Sequence, residues 1–242
     1  MRQVIVIPAR MSGTRLPGKP LIEIKGRPMI WRVWNQCKKV MNQKNIFIAT
    51  EDIEIQNYCK DAGINCVLTE SAKSAIDRIK LFSDIIPADS YLNVQGDEPI
   101  INPSDIETLI KYNLDHPSRI VFGKTDANSE EFNDYSKAKV VCDLNDKLLY
   151  SSRAGIPLDN KGSYVKAKRA IWIYAFNKNA LDEYYRNSEK TILDQIEDNE
   201  ILRFLEIGMD VYSIDMIGDS WAVDELKDIK IVEDIINERE NI

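Results

Sequence analysis

The sequence predicts an α/β protein: one three-layer αβα domain on a mostly parallel, mixed sheet, with a smaller strand-rich elaboration at about residues 125–190. Three observations carry this. Short, β-branched apolar runs alternate with stretches of helical spacing through the first half, the pattern of parallel strands covered by helices on both faces. No Gly-, Ser- or Pro-rich linker, internal repeat or low-complexity tract divides the 242 residues. Two glycine-containing polar loops directly follow strand-like runs, at the sheet edge where such folds hold ligands.

The elements follow in order. The run Val4-Ile5-Val6-Ile7 is the first strand. Residues 28–40 form a helix, because Met29, Ile30, Val33, Trp34 and Cys37 fall on one stripe. Ile46-Phe47-Ile48-Ala49-Thr50 is the second strand. Residues 52–62 are helical, and Gly63 closes them as a C-cap. Residues 65–68 make a short strand, residues 72–82 a helix and residues 91–94 a fourth strand. Asn102-Pro103-Ser104-Asp105 opens the next helix, with Asn or Ser as its cap. In the second half, residues 119–123, 138–142, 148–153 and 170–176 read as strands. Residues 192–208 read as one amphipathic helix, with Ile196, Ile201, Leu202, Leu205 and Ile207 on or near one face. Residues 211–214 are strand-like, and residues 224–238 form a last helix.

Composition excludes several classes. A chain of this size buries about 70–75% of its unfolded surface and needs no disulfide staples. Cys37, Cys59, Cys66 and Cys142 show no C-x-x-C spacing and read as buried thiols of a reducing compartment. The single histidine, His116, excludes a multi-histidine metal site; its expected place is a helix end. The longest apolar runs are six or seven residues, short of the ~20 that a membrane span needs. With no signal peptide, a cytoplasmic location is expected. The net charge of −7 speaks against nucleic-acid partners, which require a basic face. A small anionic substrate stays compatible, since a local basic loop can act inside an acidic protein.

Such a loop follows the first strand. Pro8-Ala9-Arg10-Met11-Ser12-Gly13-Thr14-Arg15-Leu16-Pro17-Gly18-Lys19-Pro20 carries three cations among glycines and prolines, the makings of a polyphosphate cradle. It nearly spells a P-loop, yet Pro20 stands where that motif needs a hydroxyl for magnesium. Phosphate would therefore be gripped by side chains as well as backbone. A basic cluster of this kind is also what a solvated surface loop looks like. The second loop, Gln95-Gly96-Asp97-Glu98-Pro99, puts a carboxylate where Mg²⁺ could be held against phosphate oxygens; the same residues also make ordinary turns.

Taken together, Val6-Ile7-Pro8-Ala9-Arg10, Thr14-Arg15-Leu16-Pro17-Gly18-Lys19-Pro20-Leu21 and Asn93-Val94-Gln95-Gly96-Asp97-Glu98-Pro99 closely resemble the 3-deoxy-manno-octulosonate (Kdo) cytidylyltransferases, the CMP-Kdo synthetases. Looser matches follow: Ser152-Arg153-Ala154-Gly155-Ile156-Pro157, Ile173-Tyr174-Ala175-Phe176, Glu197-Asp198-Asn199-Glu200-Ile201-Leu202-Arg203, and Val223-Asp224 followed by Asp228. The resemblance implies a nucleotidyltransferase-like fold and transfer of CMP from CTP to the anomeric hydroxyl of Kdo or a related acidic sugar, with release of pyrophosphate. It also implies lipopolysaccharide or capsule biosynthesis, Mg²⁺ as cofactor, and a homodimer in which residues 125–190 lie on the acceptor or dimer side. By the same resemblance, Ala9, Arg10, Arg15 and Lys19 meet the triphosphate, and Asp97 and Asp224 hold Mg²⁺. Lys19, Asp97 and Asp224 are the catalytic set. Gln95 faces the ribose, and Ser74 and Arg78 lie near cytosine. Arg153, Tyr174, Glu197 and Glu200 fall on the sugar-acid side. A nucleotidyltransferase for another phosphate or phosphonate acceptor, or a non-catalytic nucleotide-binding homologue, is the alternative; the presence of Lys19, Asp97 and Asp224 favours catalysis.

The sequence also departs from that family. Ala72-Lys73-Ser74-Ala75-Ile76-Asp77-Arg78 keeps the serine, an acid and the arginine of the base segment but loses its His, Gly and Thr. On the acceptor side, Ala170 stands for a histidine, Ile201 for a glutamine and Trp172 for a glycine. These changes predict a narrower, more apolar acceptor pocket that disfavours Kdo itself.

Overall fold

The computed structural model describes residues 1–13, 15–186 and 189–240; Thr14 of the basic loop lies outside them. The first half runs β1 (Gln3–Pro8), a short hairpin of β2 (Glu23–Ile24) and β3 (Arg27–Pro28), α1 (Met29–Lys38), β4 (Ile46–Thr50), α2 (Ile53–Asp61), β5 (Cys66–Leu68), α3 (Ala75–Ile85), β6 (Ser90–Val94) and α4 (Pro103–Asp115). The second half adds β7 (Ile120–Ala127), α5 (Ser129–Asn133), β8 (Lys139–Cys142), β9 (Leu148–Ser152), β10 (Ala167–Phe176), α6 (Lys178–Arg186), α7 (Ile192–Glu197), α8 (Ile201–Glu206), β11 (Val211–Asp215) and α9 (Leu226–Glu240).

One sheet joins both halves, in the order β11-β7-β10-β6-β1-β4-β5, with β8 and β9 attached beside β10. β1 is central and parallel to β4 and β6. β10 is antiparallel to both β6 and β7, so the sheet is mixed. The alternation of β1 builds two cores at once. Ile5 and Ile7 face the layer that holds Ile30 and Val33 of α1, Ile55 of α2 and Leu109 of α4. Val4 and Val6 face Ile79 and Phe82 of α3, Leu181 of α6 and Phe204 of α8. This is the three-layer α/β arrangement that the sequence predicts.

Local chemistry sets the helix starts. The Asn102 side chain accepts from Ser104 N–H, with Pro103 in the first turn. His116 caps the C-terminus of α4. Ser74 accepts from Asp77 N–H, so α3 begins after Ser74 rather than at residue 72. Three further expectations are corrected. Residues 192–208 are two short helices, α7 and α8, because Asp198 turns left-handed at φ 46° between them. Ile196 is thereby left outside the apolar stripe, at 75% exposure. The last helix starts at Leu226, since Asp224 and Glu225 donate their amides to the Asp228 carboxylate in a turn before it. α5 and α6 were not legible as periodic runs.

Candidate functional site

The loops after β1 and β6 form the floor of a cavity of about 890 Å³. Gly96 lets the two strand ends meet: a Cβ there would lie 2.5 Å from the carbonyl oxygen of Pro8. The glycine thus serves a close approach between neighbouring loops and also lines the cavity. The basic loop folds on itself, with Gly13 and Gly18 amides donating to Met11 O, both at 2.9 Å. The Asp52 carboxylate fixes it by accepting from Met11 N–H at 2.7 Å. Arg10, Arg15 and Lys19 all line the cavity, as do Ala9 and Gln95. The Ala9 amide is already bonded to Ala49 O, so Ala9 can offer its surface but not that donor.

At the floor, two carboxylates from distant parts of the chain share one cation. Lys19 Nζ lies 2.8 Å from Asp97 Oδ2 and 3.4 Å from Asp224 Oδ1. Arg15 reaches Asp224 as well, at 3.2 Å. The backbone closes the same join, with Val223 N–H donating to Asp97 O at 2.9 Å. A pair of half-buried carboxylates held against a positive charge is a donor set that suits Mg²⁺, which takes few carboxylates and completes its shell with water and phosphate oxygens. Among the described residues no group of three or more His, Cys, Asp or Glu could hold a metal without such help.

One wall is the start of α3, and Ser74 and Arg78 line the cavity there. Arg78 is 3% exposed; its guanidinium donates to Thr69 Oγ1 at 2.8 Å and pairs with Glu51 at 3.3 Å. Its role in the site is therefore tied to a fixed orientation. Glu200 stands opposite, and its carboxylate accepts from the amides of Ile76 and Ala75. Burial pushes its pKa above the usual carboxylate range.

The remaining wall carries Arg153, Trp172 and Tyr174. Arg153 donates to the carbonyls of Glu197, Asp198, Tyr135 and Ser136, at 2.8 to 3.3 Å. It clamps two loops and keeps little donor capacity for a ligand. Glu197 does not line the cavity; its carboxylate accepts from Ser152 Oγ at 2.7 Å and Arg153 N–H at 2.8 Å. It braces the Arg153 loop. Tyr174 stacks on Trp172 with ring centroids 5.9 Å apart, and burial raises its hydroxyl pKa. The pairing of β10 with β7 shifts register between Ile171 and Tyr174, an irregularity that re-aims side chains and falls at Trp172. Ala170 and Ile201 instead pack in the apolar layer with α3 and α6. Of the three departures on the acceptor side, only Trp172 faces the cavity.

These features meet a family model described as cytidylyltransferase, which matches residues 4–211. The chain belongs to the cytidylyltransferase family. It is 36% identical to the 3-deoxy-manno-octulosonate cytidylyltransferase of Koribacter versatilis (strain Ellin345), over 99% of this chain and 92% of the relative. It is 34% identical to the 8-amino-3,8-dideoxy-manno-octulosonate cytidylyltransferase of Shewanella pealeana (strain ATCC 700345 / ANG-SQ1), over 96% and 98%. The solved structure of CMP:2-keto-3-deoxy-manno-octonic acid synthetase complexed with CTP superposes with a TM-score of 0.92 at 30% identity, over 99% of this chain and 100% of that one. The chain is thus a nucleotidyltransferase of the CMP-Kdo synthetase type.

This cytidylyltransferase also holds site residues that sequence reasoning missed. Lys73, Lys190, Asp198 and Asn199 line the cavity. The left-handed turn at Asp198 brings the last two there, and Asp tolerance of that conformation was the available signal. Lys190 holds the Asp198 carboxylate at 3.0 Å, which lowers its pKa. Glu98 is a fifth. Burial pushes its carboxyl up to about 7, against the opposing pull of the Ser220 hydroxyl, which donates to it. A raised acid is favoured neutral in the fold, so its ionisation costs stability increasingly between its ordinary pKa of 4.5 and about 7. Glu98→Gln is expected to melt with the parent at pH 4.5 and above it at pH 8, both in chelator. Equal melting temperatures at pH 8 would show that Glu98 ionises there without penalty.

Proposed function

We propose that this cytidylyltransferase makes a CMP-activated, 3-deoxy-octulosonate-type sugar acid from CTP, with Mg²⁺ as cofactor and pyrophosphate as the second product. The sugar's anomeric oxygen attacks the α-phosphorus, and the bond to the bridging oxygen of pyrophosphate breaks. Arg10, Arg15 and Lys19 neutralise the triphosphate, and little covalent work is left to the protein. Asp97 and Asp224 would hold Mg²⁺, which when bound supplies charge neutralisation at the phosphate oxygens. The observation that carries this reading is Lys19 lodged between those two carboxylates on the cavity floor. Ser74, Arg78 and Gln95 serve the nucleoside. Tyr174 and Arg153 form the acceptor wall, Arg153 by clamping its two loops rather than as a free donor, with Glu197 acting through Arg153.

Trp172 supports a preference among acceptors. A large ring where the family has glycine narrows the pocket and favours an acceptor with an apolar or altered substituent over the fully hydroxylated sugar. The test is pyrophosphate release with CTP and Mg²⁺ over a panel holding Kdo, its 8-amino-3,8-dideoxy form and acylated analogues, with product masses recorded. A modified acid is expected to exceed Kdo in kcat/KM by about tenfold or more. Kdo as the best acceptor would remove Trp172 as a selector. Release with ATP or GTP exceeding that with CTP, or with no acceptor at all, would overturn the function itself. The same reading takes the active form as a cytoplasmic homodimer, which sedimentation in the presence of CTP can check.

A further inference from the structure

Glu200 matches a segment that the resemblance puts on the sugar-acid side, yet its carboxylate is spent elsewhere. Oε2 accepts from Ile76 N–H at 3.0 Å and Oε1 from Ala75 N–H at 3.4 Å. Ser74 Oγ takes the next amide, that of Asp77, at 3.1 Å. The first three amides of α3, normally left without intrahelical partners, are thus all occupied, two of them by a residue from the opposite wall. A negative charge at this helix end is favourable on its own account. A second tie runs parallel to the first: Arg203, fully buried one turn after Glu200, lies 3.6 Å from Asp77 and 2.7 Å from Asp194. The start of α3 is therefore held by its own Ser74 cap and, from outside its loop, by Glu200 at the N-terminus of α8 and by Arg203 within α8.

We infer that Glu200 is a positioning residue for the nucleotide side of the site, holding the first turn of α3 so that Ser74 and Arg78 present to the base, and that it is not a ligand of the acceptor. The inference rests on the reading that CTP occupies this cavity. Glu200 lines the cavity beside Ser74 and Ala75, so its removal loosens the turn without emptying the acceptor wall of Arg153 and Trp172.

The two roles differ in which substrate feels the loss. Steady-state kinetics of Glu200→Ala and Glu200→Gln, varying CTP and the acceptor separately, are paired with calorimetric titration of CTP alone. Glu200→Ala is expected to raise the KM and Kd for CTP about tenfold while the acceptor KM stays within twofold. Glu200→Gln keeps one oxygen for Ile76 N–H and is expected to recover most of that loss, which a general loss of packing would not show. A rise in acceptor KM alone, no change in either constant, or an equal rise in both with a lowered melting temperature each overturns the inference. If Glu200→Ala does not fold, Glu200→Gln decides by itself, with a CTP effect of about threefold and none on the acceptor. A parent that binds no CTP overturns the functional reading; a parent that binds it while Glu200→Gln and Glu200→Ala bind equally well overturns this inference alone.

Discussion

Asp97→Asn is expected to lower turnover by about 10³-fold or more and to leave the fold unchanged. Asn preserves the size of the side chain but removes half of the negative charge that Lys19 now neutralises between Asp97 and Asp224. A divalent cation held by one carboxylate and an amide binds more weakly and neutralises the phosphates less completely. The cost to the fold is small, because Asp97 is 31% exposed at the pair with Lys19 and such partly exposed pairs contribute roughly 0–1 kcal/mol. In a chain of this length that shifts the melting temperature by about 2–4 °C at most. Turnover within tenfold of the parent, at saturating Mg²⁺ and CTP, would reduce Asp97 to a turn residue.

Arg203→Ala has the opposite profile, with its primary effect on stability. Arg203 and Asp194 are both fully buried, and Asp77 is 2% exposed. Burial alone would lower the guanidinium's pKa; Tyr184, Asp194 and Asp77 reverse that and hold it above its ordinary value. Its removal strands two carboxylates in the layer between α3, α7 and α8, a change that costs about 3–5 kcal/mol when a buried partner is lost. Thermal or urea unfolding should show this loss, and adding Asp77→Asn and Asp194→Asn to Arg203→Ala should recover part of it. A loss below about 1 kcal/mol would mean that water reaches the aspartates once the guanidinium is gone.

Much of the architecture was legible because it depends on local pattern. The alternation Val4-Ile5-Val6-Ile7 serves both faces of a central strand, and that strand lies in the middle of the sheet. Gly63, at φ 67°, ends α2 as its position after the stripe predicts. What escaped depends on single residues or distant partners. One left-handed residue, Asp198, divides a stretch whose apolar spacing reads as continuous. α6 carries only Ala180, Leu181 and Tyr184 as buried positions, too few to stand out by periodicity. In the site, nothing in the spacing of Asp97 and Asp224 announces that they meet; only the resemblance paired them. Glu197 and Glu200 are carboxylates in one acidic stretch, and only tertiary contacts reveal that one braces the Arg153 loop and the other the start of α3. Ala170 and Ile201 look like lost ligands in sequence and are core residues in space.

The hydrogen bond from Val223 to Asp97 fixes when the paired carboxylates of the cavity floor can first exist. A ribosome delivers β1, the basic loop and the Asp97 turn early, and all three can settle against one another while the rest of the chain is still being made. Asp224 comes from beyond the last strand of the sheet, so until that segment emerges the floor holds one carboxylate rather than two. Contacts this far apart in sequence form late, after the loop between them has been closed. A chain that ends before that segment would therefore carry the basic loop and the Asp97 turn but not the second carboxylate that Lys19 meets. The two-carboxylate floor is complete only once the segment beyond the final strand has been made.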